Sequence, residues 1–360
     1  MKKSYSTYWR ELANGTRTAT VDQILILLLA PFGLAYSLIQ KLRATLYRIG
    51  ILKTHRLPQP VISIGNITVG GTGKTPVTAY IARQLLEQGY KVAVLSRGYG
   101  GSLEGRTVVV SDGVTVMLGP QECGDEPYLL ASTVPGLMVV IGTDRHDAGQ
   151  LAMQQLVPDI FLLDDGFQHL RLYRDLNILL LDSLRPFGNG WTLPSGLLRE
   201  PAEAARRADL VILTRCPEGA TVAPRVSGKP AFAASHRLVD ALPLRGGNPV
   251  PLTELQGPGF LAFAGIAQPD FFFSALRDRG INLVLTLPFP DHADYDQTSL
   301  DTIRAALQNS AAEYAITTEK DGVKLKQLPV EVAAVTYVAR LDIVIEKPAE
   351  LQALIRNLLP

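Results

Sequence analysis

Cysteine is almost absent from this chain: Cys123 and Cys216 are the only two in 360 residues. Two thiols make no disulfide framework, so the sequence suits a reducing compartment and must hold its fold by packing. Cys123 reads as a small core residue rather than a nucleophile. Histidine is scarce as well. The five are scattered, with no H-x-x-x-H or C-x-x-C spacing for zinc. No internal repeat and no low-complexity tract occur. A guanine-reading N-K-x-D pattern is missing too, since Glu319-Lys-Asp321 lacks the spacing. Net charge is only +1. The expectation is a monomer that binds no nucleic acid.

That small net charge hides an asymmetry. Residues 1–56 carry nine Lys and Arg against two acids, Glu11 and Asp22, a net +7, so the rest of the chain is acidic. Within the basic stretch, Ile24 to Ile39 has no charged residue. As a helix this run reaches ~24 Å, short of a ~30 Å hydrocarbon core, and Pro31 and Gly33 interrupt it. Tyr8, Trp9, Tyr36 and Tyr47 suit an interfacial belt. A short span, an interfacial helix and a helix buried in the protein all remain open. Basic flanks before an acidic remainder favour attachment to an anionic membrane surface. A cleaved signal peptide does not fit, because the apolar run starts late and no small-x-small site follows.

Beyond this segment, apolar runs and helical stretches alternate, which predicts a mostly parallel sheet covered on both faces. Strands are expected at 61–64, 92–95, 138–141, 160–163, 178–181 and 210–213. A hairpin is expected over 107–117, with Asp112-Gly113 at its turn. Residues 219–230 read as a linker. A second series follows at 260–264, 283–287, 314–317 and 335–338, with helices near 270–279 and 297–308. The reading is therefore an anchor over 1–56, an α/β domain over 57–218, a smaller α/β domain over 231–346, and a C-terminal helix within 347–360 that returns to the first domain.

The most informative residues are Thr68-Val69-Gly70-Gly71-Thr72-Gly73-Lys74-Thr75. They lie between the strand at 61–64 and a helix expected over 77–88, the setting a phosphate-binding loop requires. Glycines let the backbone approach a polyphosphate, and the turn's amides and the helix start direct positive dipole toward it. Lys74 would reach the β- and γ-phosphates, and the Thr75 hydroxyl would hold Mg²⁺. Thr68 stands where the usual pattern has its first Gly; Gly70 and Gly71 supply the turn instead. This is a P-loop NTPase-like domain.

Asp164 and Asp165 end an apolar strand, where a carboxylate reaches the Mg²⁺ beside such a loop. Asp164 has the favoured position, and strand alternation turns Asp165 the other way. Gln168, His169 and Arg171 follow, at the sheet edge where ligands bind in open α/β folds. Glu122, Asp125 and Glu126 cluster around Gly124. They read either as a solvated helix start or as a base and a second metal ligand. Arg97 and Arg145, each after a strand, suit anionic substrate groups. His292 lies in the second domain and meets the first site only if the two domains close on one another.

Taken in order, Thr68–Thr75, Ser96-Arg-Gly-Tyr-Gly-Gly101, Gly124-Asp-Glu-Pro127, Asp164-Asp-Gly-Phe-Gln-His169 and Pro290-Asp-His292 resemble the tetraacyldisaccharide 4′-kinase family of lipid A biosynthesis. The resemblance implies transfer of the ATP γ-phosphate to the 4′-hydroxyl of a tetraacyldisaccharide 1-phosphate glycolipid. It also implies an inner-membrane enzyme working at the cytoplasmic face, with ATP and Mg²⁺. By motif, Asp125 is the catalytic carboxylate, His292 its partner, and Lys74 the phosphate clamp. Thr75, Glu126 and Asp164 stand on the metal side; Arg97, Arg145 and His169 contact the lipid headgroup. The residues alone also admit a membrane-associated NTPase switch or partitioning protein, which would turn over nucleotide without an acceptor.

Overall fold

The computed structural model describes residues 5–17, 19–220, 225–226 and 228–358. Two helices open the chain, α1 (Tyr5–Ala13) and α2 (Thr20–Arg48). Strands β1 (Val61–Asn66), β2 (Val92–Ser96), β3 (Val108–Asp112), β4 (Met138–Ile141), β5 (Ile160–Asp164), β6 (Leu176–Asp182) and β7 (Leu210–Thr214) build the first lobe. Its helices are α3 (Lys74–Glu87), α4 (Pro120–Cys123), α5 (Asp125–Thr133) and α6 (Arg145–Gln155). The second lobe holds β8 (Arg225–Val226), β9 (Lys229–Pro243), β10 (Val250–Pro251), β11 (Gly259–Ala264), β12 (Asn282–Pro288), β13 (Tyr314–Thr318) and β14 (Thr336–Ile345). Helices α7 (Pro269–Asp278), α8 (Gln297–Gln308), α9 (Glu319–Gly322) and α10 (Val330–Ala334) cover it, and α11 (Pro348–Leu358) follows.

Every residue of β1, β2, β5 and β7 is buried, as expected of strands covered on both faces. Strands β7, β6, β1, β5, β2 and β4 run parallel side by side, and β3 closes the edge antiparallel to β4. The expected hairpin over 107–117 is thus only half formed. Its turn is made, with Asp112 Oδ1 accepting the N–H groups of Val114 and Thr115. The returning arm contributes a single bridge, Ser111 to Val116. The antiparallel partner comes from the buried strand β4, which offers the apolar face the short arm lacks.

The sheet does not stop at the expected linker. In β9, Ala231–Ala233 pairs parallel with β7, and Ala234–Pro243 pairs antiparallel with β14. One strand therefore belongs to both lobes. Part of 219–230 lies outside the described residues, and Arg225–Val226 pairs with the start of β9. Beyond β14 the order is β13, β11, β12, all parallel. Helix α11 packs on the first lobe: Leu351 and Ile355 share a core with Val77, Ile81 and Leu85 of α3.

Helix α2 is longer than the apolar run that announced it. It spans 29 residues, ~43 Å, and passes through both Pro31 and Gly33. It is long and apolar enough to cross a membrane, and only 17% of its most apolar window is buried. Leu27, Leu28, Phe32 and Leu38 face outward. Its inner side docks on residues 191–199, where Thr192 Oγ1 donates to the Gly33 carbonyl at 2.6 Å. A Cβ on Gly33 would come within 2.7 Å of Ser195 Oγ. Trp9 of α1 donates to the Pro194 carbonyl at 3.0 Å. The other end of the same segment braces the phosphate loop, with Val69 N–H donating to Leu197 O at 2.7 Å.

Candidate active site

Thr68–Thr75 joins the C-terminal end of β1 to α3, which begins at Lys74, three residues earlier than the apolar pattern predicts. Gly70 (φ 119°) and Gly73 (φ 75°) take the positive-φ positions. Thr68 pairs as extended chain with Leu198, so it needs no glycine. Asn66 Nδ2 donates to Thr72 Oγ1 at 2.8 Å, which pins the loop from inside. From below, His236 of β9 packs against Gly73, so that a Cβ there would meet its Nε2 at 2.7 Å. Burial pushes the His236 imidazole down to about 4, so it sits there neutral. Arg215 holds the loop from outside: it donates to Gly71 O at 2.9 Å, pairs with Asp182 at 2.6 Å, and hydrogen-bonds Gln268 of the second lobe.

Asp164 and Asp165 end β5 beside this loop. Asp164 is 1% exposed. Its Oδ1 accepts from Thr78 Oγ1 at 3.0 Å, and its Oδ2 is buried without a partner. Burial, then the charges of Glu126 and Asp165, push its carboxyl up to about 7. Thr78 lies one turn along α3 from Thr75, on the same side of the helix. A buried carboxylate with a free oxygen, near a helix-start hydroxyl, fits Mg²⁺, which takes one or two carboxylates and completes its shell with phosphate oxygens and water. Among the described residues no three His, Cys, Asp or Glu side chains form a self-sufficient metal cage, consistent with a nucleotide-completed shell. Asp165 behaves differently. It has φ 53° and faces Lys74 (3.8 Å) and Arg199 (2.9 Å). Burial works to raise its carboxyl, but Lys74 and Arg199 outweigh it and hold it low.

Asp125 opens α5, after Gly124 at φ 88°. Its Oδ2 lies 3.2 Å from His292 Nδ1 and 3.1 Å from Lys324 Nζ, both from the second lobe. Burial works against ionisation of Asp125, but the His292 hydrogen bond and the Lys324 charge prevail and lower it. His292 sits at φ 59° in the turn after β12, its N–H donating to Gly265 O at 3.1 Å.

The remaining candidates differ in burial, and Gln168 among them touches α2. Arg145, at the start of α6, is buried and donates to the Gly142 and Thr143 carbonyls, while its Nε is left without a partner. Burial pushes its guanidinium down to about 10, against the pull of Asp165 and Asp164. Burial, then Arg145, holds His169 down at about 4. Gln168 donates to Asn66 O at 2.7 Å, and its own carbonyl accepts from Arg43 of α2 at 3.1 Å. Arg171 and Arg97 are exposed and pair with Asp144 (2.9 Å) and Glu104 (3.3 Å), so they stand farther out.

Sequence reasoning missed Arg199, Arg215, His236, Lys320 and Lys324. Arg199 and Arg215 lie in loops without a motif. His236 lies in a strand with little alternation. The two lysines belong to a segment weighed only for reading guanine.

The model of the LpxK family, tetraacyldisaccharide-1-P 4′-kinase, matches residues 25–360. A tetraacyldisaccharide 4′-kinase of Pelobacter propionicus is 60% identical over 359 residues, covering 100% of this chain and 99% of that one. One from Geobacter sulfurreducens is 52% identical, covering 99% and 100%. A crystal structure of LpxK from Aquifex aeolicus in complex with ATP is 35% identical, with a TM-score of 0.79, covering 93% of this chain and 100% of that chain. With a phosphate loop, a buried strand-end carboxylate and an outward-facing apolar helix joined in one molecule, the chain belongs to the tetraacyldisaccharide 4′-kinase family.

Proposed function

We propose that this kinase moves the ATP γ-phosphate onto the 4′-hydroxyl of a tetraacyldisaccharide 1-phosphate glycolipid, with Asp125 receiving the hydroxyl proton. The observation that carries the reading is the meeting of Asp125 and His292, from different lobes, at 3.2 Å beside a phosphate loop. The acceptor oxygen bonds the γ-phosphorus as the bond from that phosphorus to the β,γ-bridging oxygen breaks. ADP leaves with the electron pair of that bond, and the proton passes to Asp125. Such a transfer depends on positioning and charge stabilisation more than on a strong base. A carboxylate held low, as Asp125 is, therefore suffices.

Lys74 and the amides of 70–75 take up charge on the β- and γ-oxygens. Thr75 and Asp164 would hold Mg²⁺, with Glu126 within electrostatic reach, and the ion would neutralise phosphate charge. Asp165 orients Lys74 and Arg199 rather than serving as a ligand. Arg145, His169, Gln168, Arg97 and Arg171 present the anion-binding surface suited to the glycolipid's phosphate. Helix α2 seats the protein in the inner membrane at its cytoplasmic face. Lys41, Arg43, Arg48, Lys53 and Arg56 meet the anionic surface there.

The test is ATP turnover by the purified protein in detergent micelles, with and without tetraacyldisaccharide 1-phosphate. Turnover should depend on the acceptor, and the product should carry a second phosphate. Equal hydrolysis without the acceptor would overturn the reading.

A further inference from the structure

The segment Thr318-Glu-Lys-Asp-Gly-Val-Lys324 has no part in the scheme above, yet two of its side chains end on the Asp125–His292 pair. Lys320 Nζ lies 3.1 Å from His292 Nε2 and 3.4 Å from Asp291. Lys324 Nζ donates to Asp125 Oδ2 at 3.1 Å and to Ala293 O at 2.7 Å, and its side chain is only 7% exposed. These lysines are not loosely tethered. Thr318 caps the turn by accepting the Asp321 N–H, and donates its hydroxyl proton to Asp321 Oδ2 at 2.7 Å. The same Asp321 oxygen accepts the Gly265 N–H at 3.0 Å, and Gly265 O accepts the His292 N–H. Asp321 is fully buried, so the turn bearing the lysines and the turn bearing His292 are joined through one residue, Gly265.

The hydrogen bonds also fix where His292 carries its proton. An ammonium has donors only. Nε2, facing Lys320, must therefore accept, and Nδ1, facing a carboxylate, must donate.

We propose that Lys320 and Lys324 are positioning residues of the phosphoryl-transfer site. Lys320 holds His292 in the Nδ1–H form that donates to Asp125, and Lys324 ties the Asp125 carboxylate to the second lobe. The alternative is that Lys320 does no more than pair with Asp291 at the surface, and such pairs contribute little. The proposal rests on the Asp125–His292 reading, so the experiment separates the two.

Steady-state kinetics with ATP and the acceptor are compared for wild type, Lys320→Met, Lys320→Arg, Lys324→Met and His292→Ala. Lys320→Met and Lys324→Met should lower kcat ~10- to ~100-fold and leave KM for ATP within ~2-fold. Lys320→Arg, which can still donate to Nε2, should recover most of the rate. Lys320→Met added to His292→Ala should cost almost nothing further, because Lys320 acts through that ring. Histidine-selective ¹⁵N NMR, with His292 assigned from the His292→Ala spectrum, should show protonated Nδ1 and bare Nε2 in wild type. Lys320→Met should protonate Nε2. An Nε2–H tautomer in wild type, or normal kinetics in Lys320→Met, would overturn the proposal. If a lysine variant fails to fold, the tautomer still decides it, since that measurement needs only the wild-type and His292→Ala spectra. If His292→Ala is itself unimpaired, the Asp–His reading fails instead.

Discussion

Arg199 Nη1 donates to both carboxylate oxygens of Asp165, at 3.1 and 2.9 Å. Its neighbour Asp164 has no cation within bonding distance and keeps one oxygen free. Two acids in sequence at one strand end thus differ in kind: one is neutralised by protein cations, and the other keeps a buried oxygen without a hydrogen-bond partner among the described residues.

The sign of the Asp164 shift gives the first prediction. Burial lifts its carboxyl above the usual carboxylate range to about 7, so the folded protein holds this proton more tightly than the unfolded chain. The resulting stability is complete below the unfolded value and is lost as pH rises through about 7. Without metal, Asp164→Asn should therefore raise Tm more at pH 8 than at pH 5, by roughly 1–2 °C per kcal/mol recovered. Differential scanning fluorimetry in chelator reads this directly, while Mg²⁺-dependent turnover is lost at both pH values.

Lys74→Ala removes the ammonium proposed to meet the β- and γ-oxygens. Transfer should fall by at least ~100-fold. Circular dichroism should be unchanged, because Asp165 keeps Arg199 as its partner. Near-normal turnover in a folded variant would remove Lys74 from the phosphate site.

Asp125→Asn should lower kcat strongly with little change in nucleotide affinity, and His292→Ala should lower kcat as well. Residues that act as one unit lose activity non-additively, so the double variant should be little worse than the worse single one. Losses that sum in free energy would mean the two act independently. A loss centred on Mg²⁺ affinity would instead make Asp125 a metal ligand.

Gly33→Val tests the path from α2 to the phosphate loop. A Cβ there meets Ser195 Oγ at 2.7 Å and Thr192 O at 3.2 Å. Residues 191–199 should shift, loosening the brace at Val69. The expected outcome is a raised KM for ATP in a variant that still fractionates with membranes. An unchanged KM would show the brace to be independent of the helix.

Removing residues 1–48 should release the protein from vesicles of anionic lipid, as read by flotation. High salt should extract the intact chain only in part, because salt screens the basic residues and not the apolar face of α2. Complete flotation of the truncated form would place the membrane contact elsewhere.

Much of this was legible because it is local. A phosphate loop needs a strand, glycines and a helix start in consecutive residues, and β1, Gly70–Gly73 and α3 supply them in order. Asp164 was legible for the same reason. Its difference from Asp165 was not, because it depends on Arg199, which arrives from a loop 34 residues away in sequence. Lys320 and Lys324 were passed over because their meaning lies in the partner lobe. Strand β9 went unread because its first residues pair with one lobe and the rest with the other, so neither face alternates cleanly. Helix α2 was read too short because its length was taken from the uncharged run Ile24–Ile39, whereas it continues past Asp22 on one side and Lys41 on the other, and through both Pro31 and Gly33.

Strand β9 also bears on how the two halves of the site approach each other. Asp125 follows β3 at one edge of the sheet and His292 follows β12 at the other, and the two lobes are joined through a shared strand rather than a slack tether. Domains on a flexible linker can swing through large angles at little elastic cost. Here a comparable swing would tear the β7–β9 pairing, Val211–Ala231 to Leu213–Ala233, through which the two lobes share one sheet. The joint therefore works as a leaf spring. A strand shared by both lobes favours small-angle bending over wide opening.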